Sequence, residues 1–270
     1  MNFTLKIMGT ASAMPISDRN PSAQALSVHG RLFLIDCGEG TQRQMRRMHI
    51  SFTKIEAIFI SHIHGDHVFG LFGLLNSMAM YGRTADLYIY GPQALGSIVK
   101  FYESFFGSEG AFKIVFTAVK CREPQLVHES KAVRVSAYPL NHKIECYGYR
   151  FDEILSPKRL SAVAEGSPVS PKSYAYCSDT APFERLPEWV KGVDCLYHEA
   201  TYMEAMSDKA GKYYHSTTCQ AAECALKAGV GKLVVGHFSS RITDFDAFKA
   251  ECTSIFPHTV VAGDGDEIEI

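Results

Sequence analysis

Residues 57–67 read AIFISHIHGDH, an apolar strand pattern that ends abruptly in four potential metal ligands. His62 and His64 are alternate residues of an extended loop, so their side chains project to the same side and can share one ion. Asp66 and His67 begin the following helix and can face a neighbouring ion. Burying four such side chains without a partner would be costly, although a turn with three solvated histidines is the simplest non-functional interpretation. Nitrogen and carboxylate ligands at this spacing suit Zn²⁺, with Mn²⁺ or Fe²⁺ as alternatives.

Three later residues of ligand type each follow an apolar strand pattern. His142 comes after VSAYPL, Asp179 after YAYCS, and His237 after KLVVG. Each of them alone would more often be an ordinary polar loop residue. Because loops at the carboxyl ends of strands gather into one site in α/β sheets, we expect these side chains to join the ligands of residues 62–67. The repetition of the feature at four strand ends favours a site for two metal ions.

Strand and helix patterns interleave along the chain, which favours an α/β fold with helices on the outer faces of central sheets. We predict strands at residues 3–8, 24–29, 31–36, 57–60, 87–90, 113–117, 132–138, 147–151, 174–178, 194–197 and 232–236, with more at the C-terminus. We predict helices at residues 41–48, 67–80, 92–106, 216–229 and 244–255. Residues 152–172 are predicted to be a surface connection and not a domain boundary. The chain of 270 residues is therefore interpreted as a single domain, 1–270.

The composition is that of an ordinary globular protein, with 46% hydrophobic and 21% charged residues, and excludes disorder, collagen and coiled coil. The formal net charge is −2, so any nucleic-acid contact must come from a local patch.

The eight cysteines form no Cys-x-x-Cys pair, which indicates reduced thiols. Lys6 interrupts the first apolar run, which predicts a strand and not a signal peptide, and no run reaches the length of a membrane helix. We expect a cytoplasmic protein without membrane contact.

Seven stretches, in order, carry a resemblance to a known family. They are PISDRN at 15–20, LIDCGEGTQRQ at 34–44, SHIHGDHVFGLFGLL at 61–75, CSDT at 177–180, HEAT at 198–201, HST at 215–217 and GHFSSR at 236–241. The HxHxDH element is typical of the whole metallo-β-lactamase fold superfamily. HEAT followed by HST and HFSSR is more specific, and the chain resembles ribonuclease Z, the tRNA 3′-processing endonuclease. The resemblance implies a four-layer αββα sandwich with two central mixed sheets covered by helices.

The resemblance also implies the metal ligands and the substrate. One zinc ion would bind His62, His64 and His142, a second would bind Asp66, His67 and His237, and Asp179 would bridge both. Two such ions clamp a phosphodiester and lower the pKa of a shared water molecule, which Asp66 would orient or deprotonate. The implied cofactors are therefore two Zn²⁺ ions per chain, and the implied partner is precursor tRNA or another phosphodiester.

Further roles follow from the same resemblance. His215, held by Glu199 of the HEAT element, would donate a proton to the leaving 3′-oxygen. The alternative is that His215 and Glu199 form an ion pair that only fixes the site. The residues expected to contact substrate are Arg19, Asn20, Ser239 and Arg241.

The chain departs from the family where ribonuclease Z enzymes usually carry a long arm that grips tRNA. The arm lies between the positions matched by His142 and Asp179, which are only 37 residues apart here, too few for a full arm. The Gly-Pro element of such an arm is missing, with only Gly166-Ser167-Pro168 nearby. Ser17 also stands where a basic residue is common. These departures weaken the case for tRNA binding and leave the phosphodiester chemistry intact.

A cluster of basic residues precedes the metal-ligand segment and consists of Arg43, Arg46, Arg47 and Lys54. Contact with substrate phosphates, above all by Arg46 and Arg47, is one interpretation. A solvated helix face is the other, and the sequence does not choose between them.

These observations predict a dinuclear zinc endoribonuclease of ribonuclease Z type that removes 3′ extensions from precursor tRNA. The alternative is a phosphodiesterase of the same fold that lacks the arm and acts on a small cyclic or linear diester. A thioesterase or lactamase would not explain HEAT and HST, and a non-catalytic nucleic-acid-binding module should have lost ligands. The family is commonly dimeric, and residues 69–81 carry more apolar surface than one helix face needs, so we expect a homodimer or a buried core helix there.

Overall fold

Two seven-stranded mixed sheets form the centre of the molecule in a computed structural model that describes residues 3–107, 111–164 and 170–270. The first sheet contains, in spatial order, β14 (Glu267–Glu269), β1 (Phe3–Gly9), β2 (Ala23–Val28), β3 (Arg31–Ile35), β4 (Ile55–Phe59), β5 (Leu87–Gly91) and β6 (Ile114–Ala118). The second contains β13 (Thr259–Val261), β12 (Lys232–Gly236), β11 (Cys195–Glu199), β10 (Ser173–Cys177), β9 (Tyr147–Glu153), β8 (Val133–Pro139) and β7 (Gln125–Glu129).

Helices cover the outer face of each sheet, which confirms the predicted four-layer αββα sandwich. The helices of the described residues are α1 (Thr41–Arg47), α2 (Gly65–Val68), α3 (Leu71–Met80), α4 (Leu95–Phe105), α5 (Pro157–Ala164), α6 (Leu186–Trp189), α7 (Ser207–Tyr213), α8 (Thr218–Ala228) and α9 (Phe245–Ile255), with single 3₁₀ turns at Phe52–Lys54 and Glu204–Met206. Helices α3 and α4 pack on the first sheet through residues such as Leu74 and Val99. Helices α8 and α9 pack on the second through residues such as Ala225 and Phe248.

A third buried layer lies between the two sheets. Phe33 and Phe59 of the first sheet meet Tyr149 and Phe151 of the second, and the ring centroids of Phe59 and Phe151 are 5.2 Å apart. All four side chains are fully buried. Because this layer draws on both sheets, separating them would expose large aromatic surfaces to water, and their relative position is held firmly.

Strand direction places the loops that matter at one edge of the sandwich. In the first sheet β3, β4, β5 and β6 run parallel, and in the second β10, β11, β12 and β13 run parallel. Strand β8 runs in the same direction as β10, because both are antiparallel to β9. The carboxyl ends of these strands therefore carry neighbouring loops, as the sequence predicted.

Residues 152–172, predicted to be a surface connection, contain more regular structure than a loop. Strand β9 continues to Glu153, α5 begins at Pro157, and β10 begins at Ser173. A proline is tolerated at the start of a helix because the first N–H groups have no partner within the helix. Arg159 of α5 pairs with the buried carboxylate of Glu153, which ties the helix to the sheet. The short elements β7, α6 and α7 were also not predicted, and residues 166–168 lie outside the described residues.

All eight cysteines lie in the described residues and are free thiols, as predicted. Burial raises the pKa of the Cys37 thiol to about 12, which keeps it protonated and unreactive. Over residues 3–107, 111–164 and 170–270, none of the helices has the length and apolar character needed to span a bilayer.

Candidate metal centre

Loops after four strands bring the predicted metal ligands together. Residues 62–67 follow β4, His142 follows β8, Asp179 follows β10, and His237 follows β12. The two sheets contribute ligands to two adjoining clusters at their common edge. The site therefore exists only when both sheets are folded and packed together.

The first cluster contains His62, His64, His142 and Asp179, whose ligand atoms lie within 4.8 Å of one another. His64 Nδ1 is 3.0 Å from His62 Nε2 and 3.3 Å from His142 Nε2. Asp179 Oδ2 is 3.6 Å from His62 Nε2 and 3.9 Å from His142 Nε2. Ligand atoms about 2.0–2.1 Å from one tetrahedral zinc ion stand roughly 3.4 Å apart, so these spacings suit a single ion.

The second cluster contains Asp66, His67 and His237. His67 Nε2 is 3.2 Å from His237 Nε2, and Asp66 Oδ2 is 3.6 Å from His67 Nε2 and 3.4 Å from His237 Nε2. The other oxygen of Asp179, Oδ1, is 3.4 Å from His67 Nε2 and 3.2 Å from His237 Nε2. Asp179 thus presents one carboxylate oxygen to each cluster, which is the geometry of a bridging ligand.

The chemistry of the clusters fits divalent cations. Asp179 Oδ1 is buried and has no hydrogen-bond partner among the described residues, a costly state unless a cation binds it. Burial lowers the pKa of His62 well below its usual range, which favours the neutral ring that can act as a ligand. Burial also acts to lower the pKa of His67, but the negative charges of Asp179, Asp66 and Asp36 outweigh it and raise that pKa well above the usual range. The carboxylates around His67 therefore favour a positive charge at this point, which a bound metal ion would supply.

Asp36 is a site residue that the sequence analysis did not single out. It follows β3 with a φ of 55° and is fully buried. Its carboxylate accepts hydrogen bonds from the backbone and hydroxyl of Ser61, from the hydroxyl of Tyr176 and, at 2.8 Å, from Nδ1 of His67. The last bond leaves His67 Nε2 to face the metal cluster. Its place directly after an apolar strand, in LIDCGEG, is the same signal that identified the other ligand positions.

Two further histidines of the clusters, both predicted ligands, are oriented through their Nδ1 atoms. His237 Nδ1 donates to the hydroxyl of Thr201 at 2.9 Å, and His142 Nδ1 donates to the carbonyl of Tyr214 at 3.0 Å. In both rings Nε2 is left with its lone pair directed toward the cluster. The partner of His142 is a backbone carbonyl, which every residue has, so the sequence could not identify it.

Comparisons with known proteins agree with this geometry. Residues 31–238 match the Beta-lactamase superfamily domain. Ribonuclease Z of Bacteroides thetaiotaomicron is 37% identical over 96% of this chain and 93% of its own length, and Ribonuclease Z of Parabacteroides distasonis is 36% identical over 100% and 99%. The chain belongs to the ribonuclease Z family. Among solved structures, human tRNase Z, short form, is 27% identical with a TM-score of 0.80 and 98% of both chains covered.

The HEAT and HST elements of this member of the ribonuclease Z family meet beside the metal clusters. Glu199 is fully buried and accepts the backbone N–H groups of Thr180, Thr201 and Ser216 at 2.9–3.1 Å. It also accepts Nδ1 of His215 at 3.0 Å. Burial acts to lower the pKa of His215, but the Glu199 carboxylate and this hydrogen bond raise it to about 9. His215 is therefore suited to hold a proton at neutral pH.

The clusters open into a cleft of about 700 Å³. The predicted metal ligands and general acid that line it are His64, Asp66, His142, Asp179, His215 and His237, and other lining residues are Lys143, Lys209, Arg241, Phe69 and Tyr213. The ring centroid of His215 is 5.5 Å from those of His142 and His237, so His215 shares the cleft with both clusters. Of the residues predicted to contact substrate, Arg241 lines this cleft.

Arg19 and Asn20, also predicted to contact substrate, form hydrogen bonds within the protein. Arg19 Nη1 donates to the hydroxyl of Thr10 at 2.8 Å and to the carbonyl of Ala262 at 3.0 Å. The backbone and side-chain amides of Asn20 both donate to Asp264, at 2.7 and 2.9 Å. Substrate contact by these two residues stays a prediction.

The other three residues predicted to contact substrate lie in two places: Ser239 is in a buried turn, and Arg46 and Arg47 are on the exposed face of α1. Ser239 is buried next to the cleft, where its hydroxyl accepts the backbone N–H of Arg241 at 3.4 Å. Arg46 and Arg47 are exposed, and Arg46 donates to the hydroxyl of Tyr81. None of these three lies among the residues that line the cleft, so their contact with substrate also stays a prediction.

Proposed function

We propose that the protein removes 3′ extensions from precursor tRNA by hydrolysing one phosphodiester bond. As a member of the ribonuclease Z family it is a metal-dependent endoribonuclease. One observation carries the proposal: Asp179 stands between two metal clusters in the same cleft as the Glu199–His215 pair. The match to relatives named Ribonuclease Z over nearly their whole length supports the choice of substrate.

We assign two divalent ions to the clusters, with zinc as the native metal. Imidazole nitrogens and carboxylate oxygens suit Zn²⁺, and Mn²⁺ and Fe²⁺ are the alternatives. When bound, such a pair of ions polarises the phosphodiester and lowers the pKa of water. Asp179 supplies one oxygen to each cluster and sets the spacing between them.

Two side chains of the cleft carry out the two proton transfers: Asp66 accepts a proton and His215 donates one. Asp66 Oδ2 accepts the backbone N–H of Ala13 at 2.7 Å, which fixes the carboxylate where it can take a proton from the attacking water. As the water oxygen bonds to phosphorus, the bond from phosphorus to the 3′-oxygen of the tRNA breaks. His215 donates its proton to that leaving oxygen, and Glu199 stabilises the protonated imidazole until then. The products are a tRNA with a 3′-hydroxyl and a trailer with a 5′-phosphate.

Local positive charge offsets the net charge of −2 at the substrate-binding surface. Lys143, Lys209 and Arg241 line the cleft and can contact phosphates next to the scissile bond. Arg46 and Arg47 on α1 are exposed and can contact phosphates of the tRNA body. Both sets of contacts belong to the compact body of the protein.

The short interval between His142 and Asp179 weakens the case for tRNA, but the relatives favour tRNA over a small diester as the natural substrate. Curated relatives that match nearly all of the chain at 33–37% identity are named Ribonuclease Z. The aligned stretch of 293 residues with the Bacteroides thetaiotaomicron enzyme is longer than this chain of 270 residues, so that relative has residues without a counterpart here. We infer that this chain holds tRNA with its body in place of a long arm.

We further propose that the protein is a homodimer in the cytoplasm. Helices α3 and α4 present an aromatic face made of Phe72, Phe101, Phe105 and, directly after α4, Phe106; Phe105 is 71% and Phe106 57% exposed. Contiguous apolar surface of this kind marks an interface, and a second copy of the chain is the partner that the family resemblance implies. The eight free thiols suit a reducing compartment.

The test compares two substrates with the same zinc-loaded protein. A 3′-extended tRNA precursor and a small chromogenic phosphodiester are each incubated with and without a chelator. We expect metal-dependent cutting of the precursor at the end of the tRNA body. Cutting of the diester without any cutting of the precursor would favour the small-substrate enzyme, and failure to cut either would overturn the proposal.

A further inference from the structure

Two exposed aromatic rings line the metal cleft from the two halves of the molecule. Phe69, directly after α2, is 73% exposed, and Tyr213, the last residue of α7, is 49% exposed. A large ring left in water at a catalytic cleft forgoes the free energy of burial, which is of the order of 1.5–3 kcal/mol for a phenylalanine. Ligand contact would recover that free energy.

The position of Phe69 is set by the loop that carries the metal ligands. A Cβ atom at residue 65 would come within 2.3 Å of Phe69 Cε2, so the ring can lie there only because residue 65 is glycine. Gly65 stands between His64 of the first cluster and Asp66 of the second. The ring of Phe69 therefore lies against the loop that carries the metal ligands.

The position of Tyr213 is set by the segment that follows α7. The next residue, Tyr214, has a φ of 60°, and its carbonyl accepts Nδ1 of the metal ligand His142. His215 follows and pairs with Glu199. Tyr213 is thus attached to the same short segment as the group that holds the proton for the leaving oxygen.

We infer that Phe69 and Tyr213 are stacking platforms for the bases of the two nucleotides joined by the scissile phosphodiester. This inference rests on the proposed function, and it specifies that the RNA must be single-stranded where it crosses the cleft. Stacking on an aromatic ring tolerates any base, because every base has a π face. Lys143 and Lys209 line the same cleft and can neutralise the flanking phosphates.

The chemistry assigns one base to each ring. His215 protonates the 3′-oxygen of the upstream nucleotide, so Tyr213, two residues away, takes the last base of the retained tRNA. Phe69 lies beside Asp66, which serves the attacking water, and takes the first base of the trailer. The two rings would therefore respond to different positions of the substrate.

The experiment measures kcat/KM on a 3′-extended precursor tRNA and on two copies that are abasic at one position each. One copy lacks the base of the last retained nucleotide, and the other lacks the first base of the trailer. The variants are Phe69→Ala and Tyr213→Ala, with Phe69→Trp and Tyr213→Phe as conservative replacements. Leu226→Ala is the matched control, because Leu226 is 57% exposed on α8 and does not line the cleft.

Each alanine variant is expected to lower kcat/KM on the intact precursor by about 5- to 150-fold, the range for the loss of one base–aromatic stack. The deficit of Phe69→Ala should vanish with the abasic trailer and persist with the abasic tRNA end, and Tyr213→Ala should show the reverse. The conservative variants should retain activity, and metal content and the unfolding temperature should match the wild type throughout.

Equal deficits on intact and abasic substrates, or no deficit at all, would overturn the stacking inference while the wild type still cut the precursor. If the wild type did not cut the precursor, the proposed function would fail first. The affinity of the same variants for short single-stranded RNA, intact and abasic, would then decide the stacking by itself.

Discussion

At the scale of single residues, the site depends most on Asp179, whose two oxygens face different clusters at 3.2–3.9 Å from four histidine nitrogens. We expect Asp179→Ala to lose more metal than any single histidine variant, because it removes a ligand from both ions. Elemental analysis of protein purified without chelator should give close to two ions per wild-type chain. Retention of as much metal by Asp179→Ala as by His142→Ala would contradict the bridging role.

His215 is the second residue with a separable role. His215→Ala should keep the metal content while lowering turnover on RNA by roughly 10²–10⁴-fold, the range for a lost general acid. The deficit should shrink on a diester whose nitrophenolate leaving group needs no proton. His258→Ala, at an exposed histidine outside the cleft, serves as the control. An equal deficit with both leaving groups would mean that His215 only fixes the site, the alternative left open by the sequence.

The ligand residues were predictable because each follows an apolar strand, and strand ends converge by topology. Asp36 has the same position after β3, so the same signal could have identified it, but only the structure shows that its carboxylate reaches His67 and not the clusters. The carbonyl of Tyr214 was beyond prediction, since its role depends on a φ of 60° and not on a side chain.

At the scale of secondary-structure elements, α1 offers the test of how tRNA is held. Reversing the charges of Arg46 and Arg47 should reduce cleavage of precursor tRNA and spare a small chromogenic diester, which needs only the metal centre. Each phosphate contact contributes about −0.9 (duplex) or −0.7 (single strand) to the slope of log affinity against log salt, so a slope of roughly three to four is expected from the basic cluster.

Arg134→Glu is the control for this charge reversal, because Arg134 is exposed on β8 and pairs with Glu129. Suppose that tRNA binds tightly with a steep salt dependence and that reversing Arg46 and Arg47 does not change that dependence. Another basic surface would then replace the arm. The solvated-face interpretation of α1 would then be correct.

The elements that the sequence predicted well have strong hydrophobic periodicity and bury one whole face. Those it missed are short or depend on tertiary contacts. Helix α5 is tied down by the pair Arg159–Glu153, and α7 buries Ala210 and little else. Such segments resemble loops in composition, because packing against the rest of the fold stabilises them more than local propensity does.

At the scale of the whole molecule, the metal clusters join the two sheets, since β4 supplies some ligands and β8, β10 and β12 supply the others. Removing the metal should therefore destabilise the fold. Ligand present at 100 times its Kd stabilises a native protein by about 2.7 kcal/mol. For a chain of this size that free energy corresponds to a fall in Tm of roughly 5–11 °C. Scanning calorimetry with and without chelator measures the shift, and Asp179→Ala should show a much smaller one.

The most direct test of the central claim is a zinc titration of the metal-free protein, read as single-turnover cleavage of a 3′-extended precursor tRNA with the cut site mapped. We predict that cleavage at the end of the tRNA body rises with added zinc and reaches its plateau at two ions per chain. Cleavage that persists in chelator, or a plateau at one ion per chain, would contradict the account of a two-metal site bridged by Asp179.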